Sequence, residues 1–319
     1  MSITYELGGM HSYCCHYLTV FAVLFTPLFY DFCKKKNIFV LQYQGTRMKK
    51  IGEYITRIEI DSLWSGQRHI VWDLNREVNI LSGVNGVGKS TILNKAVHRL
   101  MQKGVEMGAD VPGVRLSFYP SEANSVRFDV IRSIDRPLLD GVIFEKITDA
   151  RLATELDWQI YQLQRRYLDY QVNVGNRMLE MFTSGDPQAQ EKAQEIASIK
   201  TQFMDILDDL FRETGKRVVR SSNDILFTQI GETLTPYKLS SGEKQMLIIM
   251  LTVLVQDRQP YVLFMDEPEV SLHVEWQQHL ISRIRALNPN VQIVLTTHSP
   301  AVIMDGWMDS VTDVLDITQ

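Results

Sequence analysis

Four short stretches of this sequence carry side chains whose type and spacing suit the handling of phosphate. Gly83-Val84-Asn85-Gly86-Val87-Gly88-Lys89-Ser90-Thr91 follows the spacing G-x-x-x-x-G-K-[ST]. Glycines let a backbone wrap tightly and aim its N–H groups at phosphate oxygens, and a following helix adds the positive end of its dipole. In that arrangement Lys89 bridges β- and γ-phosphates and the Ser90 hydroxyl ligates Mg²⁺. Tyr261-Val262-Leu263-Phe264-Met265-Asp266-Glu267-Pro268 is an apolar run closed by two acids. A buried strand of this kind delivers its last residues to the carboxyl edge of a sheet. There Asp266 suits Mg²⁺, a hard cation that prefers oxygen, and Glu267 suits the orientation or deprotonation of an attacking water. Taken alone, the same residues also read as a solvated strand end with a turn-making proline.

The third stretch, Leu239-Ser240-Ser241-Gly242-Glu243-Lys244-Gln245, is a small polar turn leading into the apolar helix expected over Met246–Val255. It forms a second helix amino terminus able to receive phosphate. It also reads as an ordinary cap, with Ser240 or Ser241 at the N-cap and Glu243 supporting the first turn; the two roles are compatible. The fourth, Thr296-Thr297-His298-Ser299-Pro300, follows an apolar strand and sets His298 where a sheet edge presents it to a γ-phosphate.

The elements that must position these residues read as alternating strands and helices. Strands are expected over Tyr54–Ile60, His69–Leu74, Val78–Leu81, Val114–Phe118, Val126–Ile134, Tyr261–Met265 and Val291–Leu295. Helices are expected over Ile92–Gln102 and, amphipathically, Leu272–Leu287. Residues from about 148 to 213 are long, charged and helical. Their apolar residues step by threes and fours: Leu156, Ile160, Leu163, Tyr167, Tyr170, Val174, Met178 and Met181, then Ile196, Ile199, Phe203, Ile206 and Leu210. Ser184-Gly185-Asp186-Pro187 forms the turn between them, so the pattern is two antiparallel helices, each about 40 Å long. These stripes suit either a coiled-coil arm or lid, or packing on the core. The order implies an α/β sheet interrupted by a helical insertion. It divides the chain into residues 1–47, an N-terminal lobe over 48–147, the insertion over 148–215 and a C-terminal lobe over 216–319.

Composition bounds the answer. The 319 residues, 45% hydrophobic and 22% charged, exclude wholesale disorder and a multi-span membrane protein. A net charge of −5 argues against gripping nucleic acid by bulk charge. Arg165-Arg166 and Lys216-Arg217 with Arg220 form modest basic clusters that a charged helix face explains equally well. The cysteines are Cys14, Cys15 and Cys33, so the body of the chain lacks a zinc pair or disulfide framework, as suits the cytoplasm.

The first 47 residues differ from the rest: Leu7 to Tyr30 lack any Asp, Glu, Lys or Arg, and Lys34-Lys35-Lys36 follows. One reading is a membrane anchor through residues 17–30 with the lysines inside. The other is a gene-start artefact or loosely ordered extension, with natural translation beginning at Met48. The basic residues follow the apolar run, which fits a cleaved signal peptide poorly.

In this order the four motifs resemble those of the ATP-binding-cassette ATPases: phosphate loop, LSSGEKQ signature, acid-terminated strand and switch histidine. Asp266-Glu267-Pro268-Glu269-Val270-Ser271-Leu272-His273 and Thr297-His298-Ser299-Pro300 are similar to the branch holding RecF, SMC-like and OLD-type ATPases, often labelled AAA-like. The resemblance covers roughly residues 54–305. It implies a P-loop fold and a homodimer that sandwiches two ATP molecules with Mg²⁺. Gly83, Asn85, Gly86, Val87, Gly88, Lys89, Ser90 and Thr91 would then cradle one nucleotide. The signature of the other subunit, Ser240, Ser241, Gly242 and Glu243, would complete the site, with Ser271 in the segment crossing the interface. Ser90 and Asp266 would hold the metal; Lys89, Glu267 and His298 would be catalytic.

The pattern departs from the family in one respect: a metal-contacting glutamine is missing between Phe118 and Ile134, and Gln102 lies too early. The adenine contact is unassigned among Trp64, Arg68 and Trp72. About 20 residues follow His298, which leaves no room for the Toprim nuclease domain of OLD-type enzymes. The function so implied is Mg²⁺-dependent ATP hydrolysis that regulates a separate partner, a nuclease or other effector in DNA maintenance or phage defence. The nucleotide-binding subunit of a membrane transporter is the alternative.

Overall fold

The computed structural model describes residues 50–63, 68–101, 113–132, 152–185 and 187–319. The chain divides into a unit of Met1–Met48, outside those residues, and a unit of Lys49–Gln319, to which everything below refers. The three cysteines, the apolar run 17–30, Trp64, Gln102 and Asp186 lie outside the described residues.

The elements used below are, in chain order, β1 (Tyr54–Leu63), β2 (Arg68–Asp73), β3 (Val78–Ser82), α1 (Lys89–Met101), β4 (Val114–Tyr119) and β5 (Phe128–Arg132). They continue with α2 (Glu155–Thr183), α3 (Ala189–Leu210), α4 (Ser241–Leu254), β6 (Tyr261–Asp266), α5 (Leu280–Leu287), β7 (Val291–Thr296) and β8 (Val311–Asp313). The fold is α/β: a wholly parallel sheet in the order β8-β3-β7-β6-β5, with an antiparallel helical hairpin inserted between β5 and α4. A three-stranded antiparallel sheet, β2-β1-β4, forms a second layer.

The apolar runs follow from burial on both faces. In β6, Tyr261, Leu263 and Met265 join the core beneath α2, α3, α4 and α5, whereas Val262 and Phe264 join the opposite core with α1 and the antiparallel sheet. Gln292 of β7 ties the two sheets together. Its Oε1 accepts from the Ile55 backbone N–H at 2.8 Å, and its Nε2 donates to the carbonyls of Ile55 at 2.8 Å and Asn75 at 2.7 Å.

Three elements depart most from the expected boundaries. The strand expected over Val126–Ile134 is broken at Arg127, with Ser125–Val126 pairing instead with Ile51–Gly52; Ile134 lies outside the described residues. The helix expected over Leu272–Leu287 is two, Val274–Gln278 and α5, because the first segment buries none of its residues and the apolar stripe starts only at Leu280. The signature helix α4 begins at Ser241, five residues before the expected Met246, because a capping box nucleates it there.

The hairpin spends its apolar stripes on the body of the fold. Leu156, Ile160, Leu163, Tyr167, Tyr170 and Val174 of α2, with Ile199, Phe203, Leu207 and Leu210 of α3, share one buried core with α4. Of the two readings of those stripes, packing on the core describes this length of the hairpin. Beyond Val174 the burial thins: Met178 and Ile196 are partly covered, and Leu179 and Phe182 are exposed. Three of the basic residues near it are engaged within the chain, Arg166 with Asp129 at 3.0 Å, Lys216 with Glu243 at 2.9 Å and Arg220 with Asp205 and Asp208 at 2.6 and 2.7 Å. Among the described residues no helix is long and apolar enough to cross a membrane.

Replacing Gln292 by Leu strands one N–H and two carbonyls at the junction of the sheets. Urea unfolding is expected to register a loss of about 3 kcal/mol, since each buried orphan costs roughly 1–3 kcal/mol.

Candidate functional site

The parallel order brings three of the four motifs to one edge. β7 lies between β3 and β6, so the strand that ends in Thr296 separates the phosphate-loop strand from the acid-terminated one. The loop leaves β3 at Ser82 and enters α1 at Lys89. Gly83 takes φ +143°, and a Cβ there would meet Val87 Cγ1 at 3.0 Å, so only glycine fits. Val87 is buried, while Val84, Asn85, Gly86 and Thr91 face outward. Lys89 is 4% exposed, and its ammonium donates to the loop carbonyls of Gly83 at 2.9 Å and Val84 at 3.3 Å. The loop thus holds a buried cation within its own turn.

Asp266 gathers the edge. Its Oδ1 accepts from Ser90 Oγ at 2.9 Å and from Thr296 Oγ1 at 2.6 Å. Hydroxyl and carboxylate oxygens side by side are the donor type a hard divalent cation takes, so Ser90 and Asp266 fit Mg²⁺. Among the described residues no group of three or more His, Cys, Asp or Glu side chains forms a metal cage; water and phosphate oxygens would complete the coordination. Directly after the strand, Glu267 adopts φ +48°, and its N–H donates to the Thr296 carbonyl and hydroxyl, each at 3.1 Å. A left-handed glutamate is a strained conformation, of order 1–3 kcal/mol, that the two hydrogen bonds help to hold. Its Oε1 lies 3.1 Å from His298 Nε2, both side chains about one-third exposed. An open cavity of about 360 Å³ adjoins this edge, lined by Ser82, Gly83, Thr297, His298, Met304 and Met308.

The signature is built differently. Ser240 is the N-cap of α4: its Oγ accepts from the Glu243 N–H at 3.3 Å, and Glu243 Oε2 accepts from the Ser240 N–H at 2.9 Å. Glu243 Oε1 receives Lys216 Nζ and Thr214 Oγ1, each at 2.9 Å. The sequence places Glu243 at the nucleotide, whereas in the structure the residue is 2% exposed and both carboxylate oxygens bond inward, which leaves it a structural rather than a phosphate-facing position. Next along the helix, Lys244 Nζ pairs with Asp157 Oδ1 of α2 at 2.8 Å, both side chains largely buried. Ser240 and Ser241 are exposed at the helix start. Gly242 is buried against the Ser271 carbonyl oxygen, which a Cβ would overlap. Ser240, Ser241 and Ser271 therefore form one local surface over the buried Gly242, held by two ion pairs to the insertion and to the chain just after it.

Other assignments change or emerge. Trp72 is 1% exposed in the core and cannot stack on a base. Thr296, Thr297 and Glu269 lie within the motifs, and the structure gives each a contact that the motif pattern does not assign. Their hydrogen-bonding side chains at the strand ends were the available signal.

Residues 154–305 match the family described as "AAA domain, putative AbiEii toxin, Type IV TA system". Over that stretch, just under half of its length, the chain is similar to AAA domains. Its relatives include the Septu protein PtuA of Bacillus thuringiensis, 25% identical over 298 residues that cover 78% of this chain and 72% of that protein. The Retron Vc95 probable ATPase of Vibrio cholerae serotype O1 biovar El Tor is 30% identical over 91 residues, 25% of this chain and 18% of that one. Among solved structures, an SmcHead bound to the C-winged helix domain of ScpA aligns at a TM-score of 0.45 and 13% identity, covering 79% of this chain and 92% of that one.

The clamp around Glu243 carries a pH dependence. Burial works to raise the Glu243 carboxyl, but Lys216, the Ser240 N–H and Thr214 outweigh it and hold it below its usual value. A carboxyl depressed by folding stabilises the fold above its unfolded pKa of about 4.3 and loses that contribution as pH falls through the lower folded value. The stability gap between wild type and Glu243→Gln in urea is expected to be widest near neutrality and to close below about pH 4.

Proposed function

We propose that the chain hydrolyses ATP with Mg²⁺ as an ATP-sandwiched dimer that regulates a separate effector in phage defence. The observation that carries the hydrolytic part is the convergence of Lys89, Ser90, Asp266, Glu267 and His298 on one sheet edge through contacts of 2.6–3.3 Å. On ATP binding the Lys89 ammonium exchanges two loop carbonyls for β- and γ-phosphate oxygens. The backbone N–H groups from Gly83 to Thr91 line the rest of the cradle. Ser90 and Asp266 would hold the Mg²⁺, which supplies charge neutralisation at the phosphates. Glu267 orients the attacking water and accepts its proton, and His298 steadies Glu267 and faces the γ-phosphate.

The dimer reading is supported by the other surface. Ser241 and Gly242 start a 14-residue helix whose Glu243 N–H is capped by Ser240. Their own N–H groups head the helix, the arrangement that receives an anion. Each site gains these donors only from a partner, so ATP binding favours closure and loss of the γ-phosphate weakens it. Similarity to a Septu protein and a retron ATPase supports the defence setting over DNA maintenance.

Lys89→Ala is expected to lower turnover by about 100-fold or more, the scale of a lost charge stabiliser. Glu267→Gln is expected to bind ATP, to turn over at least about 100-fold more slowly, and to accumulate as a dimer in light scattering. A Glu267→Gln protein that stays monomeric at saturating ATP rules out the sandwich.

A further inference from the structure

The Glu267–His298 contact depends on a turn, Thr297 to Ser299, that carries the histidine out of β7. His298 itself is held loosely through its side chain: one contact at 3.1 Å, about one-third exposed. Its main chain is held firmly. Glu269 Oε1 accepts from Thr297 Oγ1 at 2.6 Å, from the His298 N–H at 2.9 Å and from the Ser299 N–H at 3.3 Å. The glutamate is 8% exposed and Thr297 is 1% exposed. Thr297 Oγ1 also accepts from the Ser299 N–H at 3.0 Å. The ring closes through Gln277, whose Oε1 receives Ser299 Oγ at 2.6 Å and whose Nε2 donates to the carbonyls of Leu272 at 2.8 Å and Glu269 at 3.3 Å.

Burying a carboxylate is costly unless its hydrogen bonds repay the lost hydration. Here one oxygen serves three donors, all on the histidine turn, while Oε2 is buried without a hydrogen-bond partner among the described residues. All the hydrogen-bonding capacity that this side chain uses goes into the turn. Since Glu269 lies two residues after Glu267, the acid that meets the histidine and the acid that holds its backbone sit on one short, strained segment.

We propose that Glu269 is a positioning residue for ATP hydrolysis: its buried carboxylate fixes the Thr297–Ser299 backbone so that the His298 imidazole meets Glu267. This rests on the reading above, in which Glu267 and His298 act at the γ-phosphate. Without the carboxylate, three donors lose their acceptor, the turn relaxes, and the imidazole loses its direction while the phosphate loop is untouched. The effect therefore falls on kcat and leaves nucleotide binding alone.

The test is a double-mutant cycle in the full chain, with ATPase kinetics, TNP-ATP binding and thermal unfolding measured for each variant. Glu269→Ala is expected to lower kcat about 30-fold, within the range that misplaced reacting groups cost, with TNP-ATP affinity within about twofold of wild type. In a His298→Ala background, itself about 100-fold slow, adding Glu269→Ala is expected to cost less than about threefold more, because the residue acts through the histidine. Glu269→Gln, which keeps an acceptor oxygen for the three donors, is expected to recover kcat to within about fivefold of wild type. Should Glu269→Ala fail to fold, Thr297→Val answers the same question: it is expected to slow turnover about threefold alone and not at all in the His298→Ala background. Losses that multiply across the cycle, or a Glu269→Gln variant as slow as Glu269→Ala, overturn the proposal while leaving the roles of Glu267 and His298 standing. A His298→Ala protein at wild-type speed overturns both.

Discussion

Two strand ends and the start of a helix meet at a single oxygen, and the candidate site is organised around it. Asp266 Oδ1 accepts the hydroxyl of Ser90, from the helix after the phosphate loop, and that of Thr296, from the strand between. A carboxylate at a sheet edge needs donors to offset lost hydration, and here both come from neighbouring motifs. The parallel register makes this feasible, because Asp266 and Thr296 are paired positions and Thr296 in turn pairs with Leu81 of β3. Shift β6 against β7 by one residue and Asp266 and Thr296 turn to opposite faces.

The signature obeys a different constraint. Its donors must be exposed at a helix start, yet the helix behind them is buried throughout from Gly242 to Leu254. Two ion pairs at the junction, Glu243–Lys216 and Lys244–Asp157, stand where the exposed turn enters the core. Each partner comes from outside the helix, one from the inserted hairpin and one from the chain just after it. The insertion is thereby joined to the surface that the proposed dimer would use. Buried pairs of this kind are weak evidence of added stability, but here they tie down the helix start that presents Ser241.

Much of the edge was legible in linear order. Glycines at fixed spacing before Lys89, and acids closing a wholly apolar strand, state a local chemistry that little else satisfies. Strand limits were close because burial on both faces produces unbroken apolar runs, as in Tyr261–Met265 and Val291–Leu295. Legibility failed where the cause was distant. The helix break at His279 reflects which residues find a core to join, and Glu243 reads as a site residue until Lys216 and Thr214 are seen to occupy it. Glu269 lies in the acid-rich segment after β6, yet nothing within several positions reveals that its donors lie 28 to 30 residues away.

By itself the amino-acid order determined the kind of chemistry and the kind of fold: a phosphate-binding loop, an acid-terminated strand and a histidine on an α/β sheet. These are short-range properties, set by backbone permission at glycine, by periodicity and by side-chain type. Only the tertiary structure decided that β7 lies between β3 and β6, that the hairpin's stripes close on α4, and that Glu243 and Glu269 turn inward. Such outcomes depend on which surfaces and charges meet after the chain folds back over tens to hundreds of residues, and no local pattern records that pairing.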